Sequence, residues 1–251
     1  MAYCGKKIAV VIPAFNEADS IAKVVRDVVA LKEFPGTNHL EPLVDDIVVC
    51  DNGSTDATGQ IAAEAGARVV QEYRPGYGSA CLAAIAALKN PDIVVFIDGD
   101  RSVQVTETIS LVEKISQGAD LVIGARVTSK RERHALTPQQ WFGNVLASRL
   151  IRLIWGTQVT DLGPFRAIRL SALHKIHMTD TTFGWTTEMQ VKAIQLGMDI
   201  KEVPVSTLRR IGQSKISGTL KGTIGAAIGI FGMIFRLYNE EKASQDMPSN
   251  H

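Results

Sequence analysis

The sequence is short of cysteine, of net charge and of long apolar runs, and each shortage excludes something. Its three cysteines, Cys4, Cys50 and Cys81, are odd in number and lack metal-ligand spacing. That argues against a disulfide framework or a zinc ribbon and for buried thiols in a reducing compartment. Lys and Arg outnumber Asp and Glu by one, 27 against 26, so nothing global points to nucleic acid. No stretch reaches the roughly twenty apolar residues that a membrane-spanning helix needs. Residues 8–12 stop at Pro13 after five, too short for a secretory signal, and predict a first strand in a cytoplasmic protein. Residues 223–235 run for thirteen, between Lys221 and Arg236. Internal repeats and low-complexity linkers are also missing.

What is present is a chain of 251 residues, 45% hydrophobic, the size of one large α/β domain or two small ones. Residues 7–12, 47–50, 68–71, 93–97 and 121–123 are short apolar runs that read as strands. Helical patterns separate them, such as Ile21, Val24, Val25, Val28, Val29 and Leu31 on one stripe. The alternation predicts an α/β fold with a doubly wound, mostly parallel sheet.

In such sheets ligands bind outside the carboxyl ends of the strands. The polar residues that end these runs are Asn16 and Glu17, Asp51, Arg74, Asp98 and Asp100, and Arg126. The run 93–97 is the most telling. It is a buried-strand pattern that ends in Asp98-Gly99-Asp100, two carboxylates that share a side of an extended chain. Like charges that close repel unless a cation joins them. Hard oxygen ligands there suit Mg²⁺ or Mn²⁺, which also hold a diphosphate. A plain Asp-Gly surface turn is the simpler alternative when the motif is taken alone.

The second half differs in texture. Lys130, Arg131, Arg133 and His134 lie in a basic loop, and residues 139–155 form an amphipathic helix. Residues 160–166 break it. A helix opens near Thr186 and reaches about Leu196, residues 200–205 read as a strand, and Arg209 to Ser214 is a basic loop with a glycine. Residues 240–251 read as a frayed tail.

Taken together, the stretches Ile12-Pro13-Ala14-Phe15-Asn16-Glu17, Cys50-Asp51-Asn52-Gly53-Ser54, Asp98-Gly99-Asp100, Gly124-Ala125-Arg126 and Arg209-Arg210-Ile211-Gly212-Gln213-Ser214-Lys215 resemble glycosyltransferase family 2 with the GT-A fold. Within it the chain is similar to the dolichyl- and polyprenyl-phosphate sugar synthases. The resemblance spans residues 8–216, which implies a nucleotide-sugar half at 1–126, an acceptor-side half at 127–216 and an apolar helix at 217–239. It implies a UDP- or GDP-sugar donor, a polyprenyl phosphate acceptor and a membrane surface as partners, with a homo-oligomer as a further option. By family position, Pro13, Phe15, Glu17 and Asp51 surround the base and ribose. Asp98 and Asp100 hold the metal and diphosphate, and Arg126, Arg209, Ser214 and Lys215 face phosphates. The chain departs from the family at Ser102, where a further metal ligand is often Gln, and at Asp161-Leu162-Gly163-Pro164-Phe165-Arg166, which is one residue short.

Two acids carry double readings. Glu188 is either a helix first-turn acid, favoured by the macrodipole, or an acceptor-side base. Asp161 is either part of the helix break or catalytic. His174 and His177 lack a third ligand and read as surface residues. Trp141, Trp155 and Trp185 read as core or interface. A dinucleotide-binding oxidoreductase is the rival from another class, since Gly76-Tyr77-Gly78 precedes Asp98 by about twenty residues. Against it, the third glycine position is Cys81 and the loop follows the third strand.

Overall fold

Apolar side chains alternate between two faces along the central strands, and this sets the layers. In the computed structural model, residues 5–31, 42–126, 138–211 and 220–246 are described. Strand β1 (Ile8–Ala14) is buried along its whole length. Ile8, Val10 and Ile12 face one apolar cluster and Val11 faces another. Helix α1 (Ile21–Val29) covers the first face with Ile21, Val24, Val25 and Val28, while Val29 is left exposed. Then follow β2 (Asp46–Asp51), α2 (Thr58–Glu64), β3 (Arg68–Gln71), α3 (Tyr77–Ala86) and β4 (Ile93–Phe96). A 3₁₀ turn at Val105–Glu107 leads into α4 (Thr108–Ser116), and β5 (Leu121–Arg126) ends the first half.

The second half contributes α5 (Pro138–Trp155), β6 (Arg166–Arg169), α6 (Leu170–Ile176), α7 (Trp185–Gln195), β7 (Ile200–Val205) and α8 (Leu220–Asp246). The sheet has seven strands in the order β3-β2-β1-β4-β6-β5-β7. All neighbouring pairs are parallel except those made by β6, which is antiparallel to β4 and to β5. The expected doubly wound, mostly parallel sheet is present. Strand β6 and helix α6 are additions to the sequence reading, which took residues 160–166 as a helix break and a shortened family stretch and assigned no strand there. The sheet runs continuously across residue 126, because β5 pairs only with β6 and β7.

Helices α1 and α4 cover one face of the sheet; α3, α6 and α7 cover the other. A third cluster joins α5, α7 and α8 through Ala147, Ile151, Val191, Met233, Ile234 and Leu237. The C-terminal helix is therefore longer than its apolar stretch: α8 continues to Asp246, into the residues expected to fray. Glu241 explains the extension, since its carboxylate accepts the Trp155 indole N–H at 2.6 Å and the Gln195 amide at 3.0 Å.

Candidate active site

The carboxyl ends of the parallel strands meet along one edge. Ala14 is in register with Asp51, and the main chain of Ile97, just past β4, bonds to Val11. Because β6 runs the other way, its first residue, Arg166, arrives at this same edge, opposite Phe96 and Ile123. Arg166 is fully buried and donates to the Gly163 and Thr186 carbonyls. Burial pushes its guanidinium down to about 10.

The turn after β1 is zipped to the turn after β2. The Asn16 N–H donates to Ser54 Oγ at 2.9 Å and the Glu17 N–H to Thr58 Oγ1 at 2.8 Å. The Thr55 N–H returns a bond to the Asn16 side chain at 2.7 Å. Asn16 has φ +52°, which its short polar side chain tolerates. Asp51 is 6% exposed and accepts the Ser54 N–H and the Gln71 amide. Pro13 is buried, whereas Phe15 is 43% exposed, an open aromatic face on the turn that carries Glu17. The four residues assigned to base and ribose, Pro13, Phe15, Glu17 and Asp51, thus lie at the ends of β1 and β2 and on the turn that leaves β1, which is tied to the turn after β2.

Gly99 seats the next loop against them. A Cβ there would come within 3.3 Å of Ile21 and 3.5 Å of the Pro13 carbonyl. Ser20 Oγ donates to the Gly99 carbonyl at 2.8 Å. The flanking carboxylates have different partners. Asp98 accepts the Tyr77 hydroxyl at 3.0 Å. Burial raises its pKa, against the pull of Tyr77, Arg210 and Arg126. Asp100 is 3% exposed and accepts the Ser102 N–H at 2.9 Å, and its other oxygen is bonded by Arg210. Arg101 follows with φ +61°, a conformation most side chains avoid, which turns the chain sharply past the two acids.

Two neighbouring carboxylates, Asp100 buried and Asp98 partly so, with cationic groups close by fit a divalent cation. Among the described residues no third acidic, His or Cys ligand joins them, so other oxygens, such as those of a diphosphate or water, would have to complete the shell. Asp98 and Asp100 are the residues that would hold it.

Arg126, at the end of β5, is clamped. Asp161 accepts its main-chain N–H at 2.7 Å, its Nε at 2.8 Å and its Nη2 at 2.5 Å. Burial disfavours the Arg126 charge, but Asp161 and then Asp98 outweigh this and leave the pKa raised. Asp161 is 3% exposed and wholly engaged in this fork.

Glu188 is engaged too. It is fully buried in the first turn of α7 and accepts the Thr179 N–H and hydroxyl and the Asp180 N–H at 2.6–3.1 Å. Lys192 and Arg236 lie 2.8 and 3.4 Å from its carboxylate. Burial alone would raise its pKa, but these bonds, Lys192 first, lower it. Thr181 and Thr182 in turn accept the N–H groups of Ser79 and Gly78 at the start of α3. A Cβ on Gly78 would sit 2.1 Å from the Asp180 carbonyl, so only glycine admits that approach. Glu188 thus fixes the loop against which the Tyr77 turn is packed.

The depressed pKa carries a pH prediction. A carboxyl whose folded pKa lies below its unfolded value, about 4.3 for Glu, stabilises the fold above that value and loses this as pH falls through the folded pKa. Glu188→Gln is expected to cost about 2–3 kcal/mol at pH 7, since Lys192 and the polar loop lose a buried charged partner. Urea melts of both proteins should converge as the pH is lowered below about 4; a gap that persists there would show that shape, not charge, is responsible.

Sequence reasoning missed Arg210, Tyr77 and Arg166. Of the adjacent arginines it favoured Arg209, which is exposed, whereas Arg210 reaches Asp100. Ser214, Lys215 and the basic loop at 130–134 lie outside the described residues. Cys50 and Cys81 are buried thiols, and burial pushes Cys50 up to about 12, so neither is a nucleophile at neutral pH. His174 and His177 are exposed. Trp185 is core, edge-on to Phe96 at 6.1 Å, while Trp141 is half exposed.

Comparison with known proteins shows the family and the fold. Residues 9–177 match the family described as glycosyl transferase family 2. An uncharacterized glycosyltransferase of Mycobacterium tuberculosis is 35% identical, covering 92% of this chain and 99% of that one. A dolichyl-phosphate hexose transferase of Haloferax volcanii is 32% identical, covering 90% and 92%. The crystal structure of glucosyl-3-phosphoglycerate synthase from Mycobacterium tuberculosis with Mn²⁺, UDP-glucose and phosphoglyceric acid aligns with TM-score 0.72 and 26% identity, over 94% of this chain and 81% of that one. The fold is GT-A, and the chain belongs to glycosyltransferase family 2.

Proposed function

We propose that this hexosyltransferase moves a sugar from a UDP- or GDP-sugar to a polyprenyl phosphate of the dolichyl type, with inversion at the anomeric carbon. The observation that carries the reading is the commitment of both candidate bases, Asp161 to Arg126 and Glu188 to Lys192, Arg236 and the Thr179 loop. A hydroxyl acceptor needs a base within hydrogen-bond reach. A phosphate monoester is already an anion near neutral pH, with a second pKa of about 6. The similarity to a dolichyl-phosphate hexose transferase supports the same acceptor class.

In this reading the turns at 13–17 and 51–58 bind the nucleoside. Asp98 and Asp100 would hold Mg²⁺ or Mn²⁺, which when bound neutralises charge gathering on the leaving diphosphate. Arg126, aimed by Asp161 through Nε and Nη2, faces the phosphates with its remaining guanidinium N–H groups. The acceptor oxygen forms one bond to the anomeric carbon as the diphosphate bond breaks on the opposite face, so a single displacement inverts the centre.

Exposed apolar side chains suit a lipid acceptor at a membrane surface. Phe142, Leu146 and Leu153 project from α5, and Ile228, Phe235 and Tyr238 from α8, all at least 41% exposed. Among the described residues no helix is long and apolar enough to cross a membrane, so contact would be interfacial. A second reading, a soluble phosphate-bearing acceptor, is favoured by the likeness to the enzyme crystallised with phosphoglyceric acid.

Incubation with UDP- and GDP-sugars and either polyprenyl phosphate in anionic vesicles or phosphoglycerate separates the two. We expect a glycosylated lipid by mass spectrometry, with inverted configuration by NMR. Phe142→Glu with Phe235→Glu should weaken vesicle binding at least about tenfold and lower lipid transfer without lowering the melting temperature. Efficient turnover of phosphoglycerate with no lipid product would establish the second reading.

A further inference from the structure

The segment that leaves β7 is stitched along the loop of the two aspartates. Thr207 bridges Val103, the Leu208 N–H donates to the Ser102 carbonyl at 2.8 Å, and the Ile211 N–H donates to the Asp100 carbonyl at 3.1 Å. At the end of this strap Arg210 places Nη2 on Asp100 Oδ2. The other oxygen, Oδ1, takes the Ser102 N–H. Asp100 therefore has a partner on each oxygen. Arg210 differs from Arg126 in one respect that matters: its side chain is 37% exposed, against 22% for Arg126. It lies nearer the surface of the site than Arg126 does.

We infer that Arg210 is a built-in counter-cation for Asp100, which competes with the divalent ion until a donor diphosphate arrives to take the guanidinium. This rests on the metal reading of Asp98 and Asp100. A divalent ion and a guanidinium on one carboxylate oxygen repel each other, so Arg210 has to release Asp100 for the site to load. Its fork then needs another anion, and a diphosphate offers paired oxygens of matching geometry. The exchange couples the two ligands: donor tightens metal because it relieves the competition, and by linkage metal tightens donor to the same degree. Without donor the two acids are kept neutralised and the strap is held down over the loop. With donor the same residue becomes a phosphate contact, and the strap that carries Arg209 and Arg210 is free to follow it.

The test is Mn²⁺ binding, followed by the electron paramagnetic resonance of free Mn²⁺, with and without UDP. Donor-free Mn²⁺ affinity should rise about tenfold in Arg210→Met, a coupling of ordinary size. It should stay near the wild-type value in Arg210→Lys, which keeps the charge. The tightening of Mn²⁺ by UDP should shrink in Arg210→Met by the same factor. A merely structural role would move both variants alike. Unchanged or weaker donor-free binding in Arg210→Met, at an unchanged melting temperature and with Asp100→Asn abolishing binding, would overturn the competition and leave the metal site standing. Mn²⁺ binding that is indifferent to Asp100→Asn would overturn both.

Discussion

Asp100→Asn is expected to lower sugar transfer by at least about 10²–10³-fold, the range seen when one group that stabilises transition-state charge is removed. The change keeps the side chain's shape and the acceptor for the Ser102 N–H, so the loop can hold its course. It removes the charge that would bind a divalent ion, and it also loosens Arg210. The residue lies beyond the last residue of β4, outside all three apolar clusters, so the melting temperature should change little. An excess of chelator should bring the wild type to the same residual rate, and the variant should be indifferent to it. Full turnover in either case would remove the metal from the mechanism.

The second large effect concerns the clamp on Arg126. Asp161→Asn leaves a guanidinium, 22% exposed, with its main partner gone. Breaking a buried pair in this way costs about 3–5 kcal/mol, more than the pair adds when intact. If Arg126 is the phosphate contact proposed above, transfer should fall about as far as in Arg126→Ala, because the clamp is what aims the guanidinium. The double variant should be no worse than the worse single one, in stability and in rate, since both residues act as one unit. Additive losses would show that Asp161 has a role apart from Arg126, such as that of a base.

The parts of the fold that the sequence reveals are those with continuous apolar runs. Strand β4 is legible because Ile93 to Ile97 are buried on both faces of the sheet. Its carboxylates are legible because nothing apolar explains them. Strand β6 is hidden for the opposite reason. It is four residues long and two are arginines, whose charges are satisfied by main-chain carbonyls, Gly163 and Thr186 for Arg166, Ala119 and Ile115 for Arg169. No hydrophobic period records such bonds. The end of α8 is hidden likewise: the apolar stripe stops at Leu237, and the helix continues through Glu, Lys, Ala and Gln, which favour helix, and through the polar contact of Glu241 with Trp155 and Gln195. The choice between Arg209 and Arg210 depends on how the chain leaves β7, and adjacent identical residues carry no signal of that. The chemical types of Asp161 and Glu188 were legible, as was Lys192 one helical turn after Glu188, but the partner of Asp161, 35 residues away, and those of Glu188 on the Thr179 loop and α8 were not.

The antiparallel strand has a consequence for how the chain is made. When β5 has emerged from the ribosome its neighbours do not yet exist, because both β6 and β7 come later in the chain. Strand β5 ends at Arg126, and the reverse strand begins only at Arg166. Until β6 is synthesised, the inner edge of β4 is open and β5 has two open edges, in a nascent chain that already carries its most apolar strands. Open edges of this kind are templates for pairing with other chains. A growing polypeptide halted once β5 has emerged and before β6 has should bind holdase chaperones, and release should follow once the reverse strand has slotted between β4 and β5 and closed the sheet.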